Sequence, residues 1–434
     1  MFNIVIIGAG HGGLQAAKVL AAAGHSVTVY EQSSIDCLSI DRYDTIELKV
    51  FDDLGIPVPE GSFKDGACGF TAPFSKKPLI MDLPPEKRDW TVDRRKLAPQ
   101  LVKAAEEKGA KFIFETKVDS LICDNVGVKG IVVGGENIKA DLVIDASGVF
   151  SPFRASLPSR FGITAQPSKE DVFFTWDAMF DHAEGVEIPE YYEFLMHLKY
   201  TGEKCVAWCV EEFDDKFAAF VGKAGGMTKE EFDRIYAQLR EDYPAMGTNK
   251  IRGGNFDFIP IRYPLSKMMA DGYVAVGDSA FMPIPLVGCG VGNALRAGQM
   301  LGEAIVNADS VSVEALWDYQ VNYYLKIGAV CCMIDHVKRA LLNSDNDTLR
   351  EFFESELITN EELSAILNGR LSLISVTELI SRIKKAYRVK GLFGDILKSA
   401  LRGVKAMKVA LTIPRKYNPL KVAQWKQKLE KAMQ

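Results

Sequence analysis

The chain has 434 residues, 47% of them hydrophobic and 25% charged, and a formal net charge of −5, which is enough for two or three domains around substantial cores. Its longest apolar runs, at 141–149 and 273–276, are strand-sized and far below the roughly 18 residues of a membrane-crossing helix, which excludes that class. No basic segment precedes the first strand pattern, so a signal peptide is not expected and a cytoplasmic location is.

In chain order, the start reads strand, turn, helix, strand. Apolar residues 4–7 lead into the turn GAGHGG at 8–13, a helix runs to about residue 23 with Gly24 as its cap, and a strand at 27–30 ends on Glu31. An amphipathic helix is predicted at 95–108, a strand at 110–115, a hairpin region near 118–139 and a buried strand at 142–146. From about 155 to 265 the pattern changes. Strand-like pieces at 172–175, 192–198, 205–210 and 218–221, with one helix at 229–239, predict a sheet-based domain inserted into the first. A strand at 272–276 returns to the first domain. Beyond Val291 the pattern is helical, with breaks near 345–347 and at Pro414.

Charge is uneven. Residues 381–434 carry 15 Lys and Arg against Asp395 and Glu430, while residues 1–380 hold 37 basic and 55 acidic side chains. The eight cysteines (37, 68, 123, 205, 209, 289, 331 and 332) show no C-x-x-C and no Cys/His spacing suited to zinc, so they read as small hydrophobes and no metal site is expected.

Gly8, Gly10 and Gly13 form G-x-G-x-x-G between a strand and a helix. Gly8 permits the tight turn, Gly10 lets backbone approach a pyrophosphate, Gly13 lets helix and strand pack closely, and the helix N-terminus supplies N–H donors. Glu31, at the end of the second strand, suits the hydroxyls of an adenosine ribose. In register, these features predict dinucleotide binding.

Three further stretches carry a resemblance. In DLVIDASGVFSPFR (141–154), Gly148, Ser151 and Arg154 fit a mid-chain pattern A-D-G-x-x-S-x-x-R, with Ser147 in place of its Asp. In VAVGDSAFMPIPLVGCGVGNALRAGQML (274–301), Gly277, Asp278, Pro285, Gly288 and Gly290 fit G-D…P-x-x-G-x-G. In WTVDRRKL, Asp93 and Arg94 fit V-D-R-x-x-F/L. Residues 1–310 thereby resemble the flavoprotein family that includes aromatic hydroxylases, geranylgeranyl reductases and electron-transfer-flavoprotein:quinone oxidoreductases. The resemblance implies FAD as cofactor. It also implies an α/β fold, α+β overall: a discontinuous Rossmann-type FAD-binding domain (1–154 plus 266–310), an inserted antiparallel-sheet substrate domain (155–265) and a helical C-terminal region (311–434). Asp278 at a strand's edge suits a hydroxyl of the flavin's ribityl chain. The glycine turn after it would bring backbone amides and a helix N-terminus toward the ring, where they favour negative charge.

The same stretch discriminates within the family. Phe281 stands where hydroxylases carry His, Gly292 where they carry Asn, and Ala297-Gly298 where they carry Asp-Ala, while Ala294 and Gly298 fit the reductase form. The resemblance therefore implies an FAD-dependent oxidoreductase of the geranylgeranyl-reductase type. It would reduce C=C bonds of a hydrophobic, isoprenoid or lipid-like substrate by hydride transfer from flavin N5, with a proton delivered to the other carbon. An FAD-dependent monooxygenase of an aromatic or apolar substrate is the first alternative, and a membrane-docked flavoprotein electron carrier the second. With one G-x-G-x-x-G only, electrons would come from transiently docked NAD(P)H or a reduced partner protein. Cys37 falls where the reductases resemble C-G-E, but Leu38 and Ser39 follow it, so proton donor and ordinary loop thiol both stay open. Trp208 sits at the Trp of the reductases' G-Y-x-W-x-F-P segment, as substrate wall or core. His11 reads as a variable loop position.

In the tail, Leu392, Ile396, Leu397, Ala400, Leu401, Val404, Met407 and Leu411 fall at helical spacing with Lys398, Arg402, Lys405 and Lys408 between them. That pattern suits either a helix on an anionic membrane surface, making the protein peripheral, or packing on the acidic body. Few aromatics interleave the basic residues, so nucleic acid is not an expected partner. The oligomeric state is not legible.

Overall fold

The computed structural model describes all residues except 73–74, 76–78, 165, 188–191, 197–204, 213–215, 287, 356–357 and 371–394. Its first core is built on a six-stranded sheet in the order Met269–Ala270, Tyr273–Ala275, Leu142–Asp145, Asn3–Ile7, Ser26–Tyr30, Lys111–Ile113. Every pairing is parallel except the edge hairpin at 269–275. Ile4, Ile6, Val27, Val29 and residues 142–144 are buried almost completely, as expected of strands covered on both faces. The register sets Ile7 beside both Asp145 and Tyr30, and Asp145 beside Ala275. The ends of these strands, and the turns that follow them, therefore converge at one sheet edge.

Two helices seal this edge. The first (His11–Ala22) and the helix Val291–Val306 pack with almost no side-chain spacer. A Cβ on Gly298 would lie 2.2 Å from the Gly12 carbonyl oxygen, and one on Gly302 2.6 Å from Val19 Cγ1. Gly298, read from sequence as a reductase feature, is thus a packing requirement in this chain.

The second core surrounds a seven-stranded sheet in the order Met246–Pro260, Val172–His182, Lys216–Ala224, Cys205–Glu212, Tyr192–Met196, Cys68–Thr71, Leu79–Met81. Here the structure departs from the expected segment 155–265. Two strands come from ahead of residue 155, joined by the parallel register Tyr192 to Cys68, because an otherwise open sheet edge gains ladder hydrogen bonds there. The 15-residue edge strand Met246–Pro260 was not predicted at all, and the strand begun at Val172 runs for 11 residues, to His182.

Alternation sorts the faces of this sheet. Trp176, Ala178, Phe180, Ala219 and Val221 pack with Ile235 and Leu239 of the helix Lys229–Asp242. On the other face Phe173, Phe220, Ile259 and Ile261 meet Leu341, Leu349, Phe353, Leu363 and Ile396 of the C-terminal helices. The predicted breaks are present. Asp345 caps the helix Asn346–Glu354 through Thr348 N at 2.7 Å, and Trp317 Nε1 donates to the Pro414 carbonyl at 2.6 Å. No helix among the described residues is long and apolar enough to cross a membrane.

Because the two helix backbones nearly touch, Gly298→Leu is expected to lower stability by about 1–3 kcal/mol or more. Its urea midpoint against the unsubstituted chain checks this.

Candidate active site

The turns that follow the parallel strands are joined by buried polar groups. Asp145, fully buried, accepts from Ser147 N (3.1 Å) and Oγ (2.6 Å), Ser151 Oγ (2.5 Å) and Tyr273 OH (2.6 Å). Ser151 Oγ in turn accepts from Arg154 N at 3.0 Å and caps the short helix Pro152–Ser156. The Arg154 guanidinium, also fully buried, donates to the Val149 and Ser279 carbonyls and lies 4.6 Å over the Phe281 ring. Arg262 lies over the same ring at 5.0 Å. Ser279 Oγ and Val276 N both donate to the Asp145 carbonyl. The turn at Gly148 and the turn at Gly277–Ala280 are therefore one hydrogen-bonded unit. Phe281, at φ +57°, is the clamp between two arginines.

In front of this unit runs a cleft whose wall includes Gly10, His11, Gly12, Arg42, Asp44, Arg94, Gly148, Asp257, Ile259, Gly277, Asp278, Pro283, Gly288 and Gly290. Of the residues expected to bind the cofactor, Gly10, Arg94, Gly148, Gly277, Asp278, Gly288 and Gly290 are brought together here. Gly8 and Gly13 lie behind, against Ala146: their Cβ atoms would come within 2.8 Å of its carbonyl oxygen and 2.7 Å of its Cβ. Glu31 does not line the cleft; its carboxylate accepts from Ala9 N, next to the lining Gly10, and from Ser33 N, each at 2.8 Å. Pro285 does not line the cleft. It is buried in the turn closed by Gly288 N to the Ile284 carbonyl, and Pro283 lines the wall instead.

Of the two weaker candidates, Cys37 is placed outside the cleft wall and the side chain of Trp208 lies outside the described residues. Cys37 ends the one-turn helix Ile35–Cys37 with its thiol exposed and does not line the cleft. Its loop is pinned by Arg95 Nη1 to the Asp36 carbonyl (2.6 Å) and Arg94 Nε to Ser39 Oγ (3.1 Å). Trp208 lies opposite Phe220 in the sheet register, while its side chain is outside the described residues. His11, set aside in the sequence, is in the wall. Burial, then Arg94 and Arg42, push its pKa down to about 3, and its Nε2 has no hydrogen-bond partner among the described residues. The signal was present in its position inside the glycine turn.

Arg42 and Arg94 both pair with Asp44, at 3.4 and 3.3 Å. Asp278 is different. Burial, and then Asp257 across the cleft, raise its carboxyl to about 6, against the pull of Arg94 and Arg42.

The residues present suit a dinucleotide with a bulky polar ring. Gly148 and Gly277 both have positive φ; on the side where a Cβ would stand, Gly148 has nothing within 4 Å and Gly277 only Ala294 Cβ at 3.6 Å. These open cradles flank a buried imidazole nitrogen without a partner and the N-termini of two helices, at His11 and Val291. A βαβ dinucleotide site of the flavoprotein kind is what fold and cleft define together.

Residues 1–306 match the family described as "FAD binding domain", and the chain belongs to that family. It is 24% identical over 452 residues to a digeranylgeranylglycerophospholipid reductase of Sulfolobus acidocaldarius, covering 100% of the chain and 97% of the relative. A protein of the same description from Methanoculleus marisnigri is 27% identical, over 82% of the chain and 90% of the relative. A geranylgeranyl bacteriochlorophyll reductase-like structure from Thermoplasma acidophilum shares the fold with a TM-score of 0.74, at 17% identity over 92% of this chain and 99% of that one. The chain is an FAD-dependent oxidoreductase related to the geranylgeranyl reductase-like branch of the family.

Two outcomes follow from the geometry. Arg154→Met keeps an apolar stem but leaves the carbonyls of Val149 and Ser279 without this donor; a loss of about 2–4 kcal/mol and of bound flavin is expected, read by urea denaturation and absorbance. For Asp278, the folded pKa lies above the ordinary 3.8. Its stabilising effect is therefore complete below that value and is lost as pH rises to about 6. Asp278→Asn should make the cofactor-free protein about 1–3 kcal/mol more stable at pH 7.5 while weakening flavin binding, measured by thermal melts across pH and by flavin titration.

Proposed function

We propose that this protein reduces carbon–carbon double bonds of a hydrophobic, isoprenoid or lipid-like substrate, receiving electrons from transiently docked NAD(P)H or a reduced partner protein. The observation that carries the reading is an apolar layer that reaches the cleft. Ile259 belongs both to the cleft wall and to the cluster of Phe70, Phe173, Phe220 and Ile261 with the C-terminal helices. A long hydrocarbon bound along this layer would meet the cleft at its ring end. The full-length likeness to digeranylgeranylglycerophospholipid reductases supports the same substrate class.

FAD, when bound, supplies reversible two-electron redox chemistry. The chain's residues divide the work of holding it. Backbone N–H groups at Gly10–Gly12 and the start of the first helix would take the pyrophosphate. Glu31 would accept the adenosine ribose hydroxyls, and Asp278 a hydroxyl of the ribityl chain. The turn at Gly288–Gly290 and the helix starting at Val291 would direct N–H groups at the ring and stabilise negative charge there. His11, kept neutral, adds no positive charge, so the positive charge of the wall rests with Arg42 and Arg94. Ile259 and Pro283 exclude water from the ring end of the cleft.

Turnover under strict anaerobiosis tests the reading. With dithionite-reduced protein and an unsaturated geranylgeranyl lipid, mass spectrometry should show two hydrogens gained per double bond. Product that forms only when oxygen is admitted would establish a monooxygenase instead. Flavin oxidised and reduced by a protein partner, with the lipid unchanged, would establish an electron carrier. In the same assay Glu31→Gln is expected to raise the FAD dissociation constant about tenfold, the worth of one charge-assisted hydrogen bond.

A further inference from the structure

The basic C-terminal helix Asp395–Leu411 is apolar on two sides. At 100° per residue, Ile396, Gly403, Ala406 and Ala410 fall on one side and are buried against the helix Ala329–Asn343. A Cβ on Gly403 would stand 2.8 Å from the Met333 carbonyl oxygen. The two backbones are in contact, so the seating of the helix is fixed. Apart from Ile396, the residues buried on this side are small. Leu397 and Leu401, 43% and 63% exposed, lie on the opposite side, Leu411, 38% exposed, at its margin, and Leu420, in the first turn of the last helix (Pro419–Ala432), is 76% exposed.

Of the expected apolar stripe, Ile396 and Met407 pack on the body while Leu397, Leu401 and Leu411 are exposed, and the inward seam is made mainly by Gly403, Ala406 and Ala410, which the stripe did not include; Leu392 lies outside the described residues. Lys408 stands among the outward leucines, and Lys405, Lys398 and Arg402 follow along one flank. Arg402, Lys405 and Lys408 make no ion pair among the described residues, and Lys398 reaches only Asp395, at 3.5 Å. From 395 to 434 there are ten Lys and Arg against two acids.

We propose that this outward face docks on an anionic lipid bilayer, with Leu397, Leu401, Leu411 and Leu420 entering the interface and the flanking cations contacting headgroups. Exposed leucines beside free cations on a rigid helix are the arrangement an interfacial helix needs. A second copy of the chain would bring the same unpaired cations together and is disfavoured on charge. The same helix joins the apolar layer that borders the cleft, since Ile396 and the cleft residue Ile259 belong to one cluster. Delivery of lipid along that layer rests on the proposed reaction; binding of the bilayer does not.

Flotation of full-length, FAD-loaded protein with vesicles tests binding apart from turnover. Protein should float with phosphatidylglycerol–phosphatidylcholine vesicles at 0.05 M salt and less at 0.5 M, and stay behind with pure phosphatidylcholine (both salt values on the order of those that span weak and strong screening). Leu397→Glu with Leu401→Glu should cut binding at least about tenfold, and Lys405→Glu with Lys408→Glu at least roughly fivefold per cation removed. Flavin content, melting temperature and turnover of detergent-dispersed substrate should not change. Equal flotation with neutral vesicles, no flotation at all, or undiminished flotation of the leucine variant would overturn the proposal. So would a sedimentation-detected dimer that the leucine variant abolishes, since the face would then be a subunit contact. A protein that floats yet reduces no lipid would leave the bilayer surface standing and remove the reaction.

Discussion

The cofactor site depends on a buried arginine that spans two turns nearly 130 residues apart in the chain. Arg154 donates to the Ser279 carbonyl while Ser279 Oγ returns a hydrogen bond to the Asp145 carbonyl, so neither turn can move without breaking contacts of the other. A guanidinium with fixed donors suits this better than a lysine would, because its planar fork satisfies separated carbonyls at once. Burying it is costly unless those donors are all used. The backbone carbonyls, the Phe281 ring and the Asp145 carboxylate nearby provide the compensation. The cleft wall in front of them includes Gly10, Gly12, Gly148, Gly277, Gly288 and Gly290.

Two aspartates near the ends of neighbouring parallel strands show how environment separates structural from functional carboxylates. Asp145 takes two serine hydroxyls, a tyrosine hydroxyl and a backbone N–H, all at 3.1 Å or less. Its negative charge is spent inside the protein. Asp278 lies only a turn beyond the adjacent strand, faces the cleft, and is raised by burial and Asp257. A carboxylate only partly compensated by Arg94 and Arg42 costs stability in a low-dielectric wall, and a ligand hydroxyl placed there recovers part of it. The site is thereby less stable empty than full, as binding surfaces commonly are.

Much of the cofactor half was legible because its residues are dictated by backbone geometry that few side chains permit. Gly8 at φ +85° against the Ala146 carbonyl, or Gly277 at φ +69°, admits no ordinary alternative, so the motif survives as sequence. The large sheet was less legible. Residues 246–260 contain Gly253 and Gly254, both at positive φ, and a disrupted register opposite Asp177–His182. On an exposed edge no apolar alternation is enforced, and the strand leaves no periodic trace. The strands at 68–71 and 79–81 are short and joined to the sheet across more than a hundred residues, a pairing that local pattern cannot encode. Cys37 stayed open for a related reason: its motif neighbours differ, and its loop is held by Arg94 and Arg95.

The helix Asp395–Leu411 shows why one hydropathy pattern fitted two destinations. A stripe of eight apolar positions is wider than one contact with a neighbouring helix needs. Gly403, Ala406 and Ala410, outside that stripe, allow the close approach to the helix Ala329–Asn343 with Ile396 beside them, and Leu397 and Leu401 are left outward beside the lysines. Packing on the body and exposure of a cationic apolar face are consequences of the same residue order. The inward seam also explains the rigidity of the outward face: a helix held by backbone contact at Gly403 presents its leucines as a fixed array rather than as a loose tail, and a fixed array loses less conformational entropy when it binds a surface.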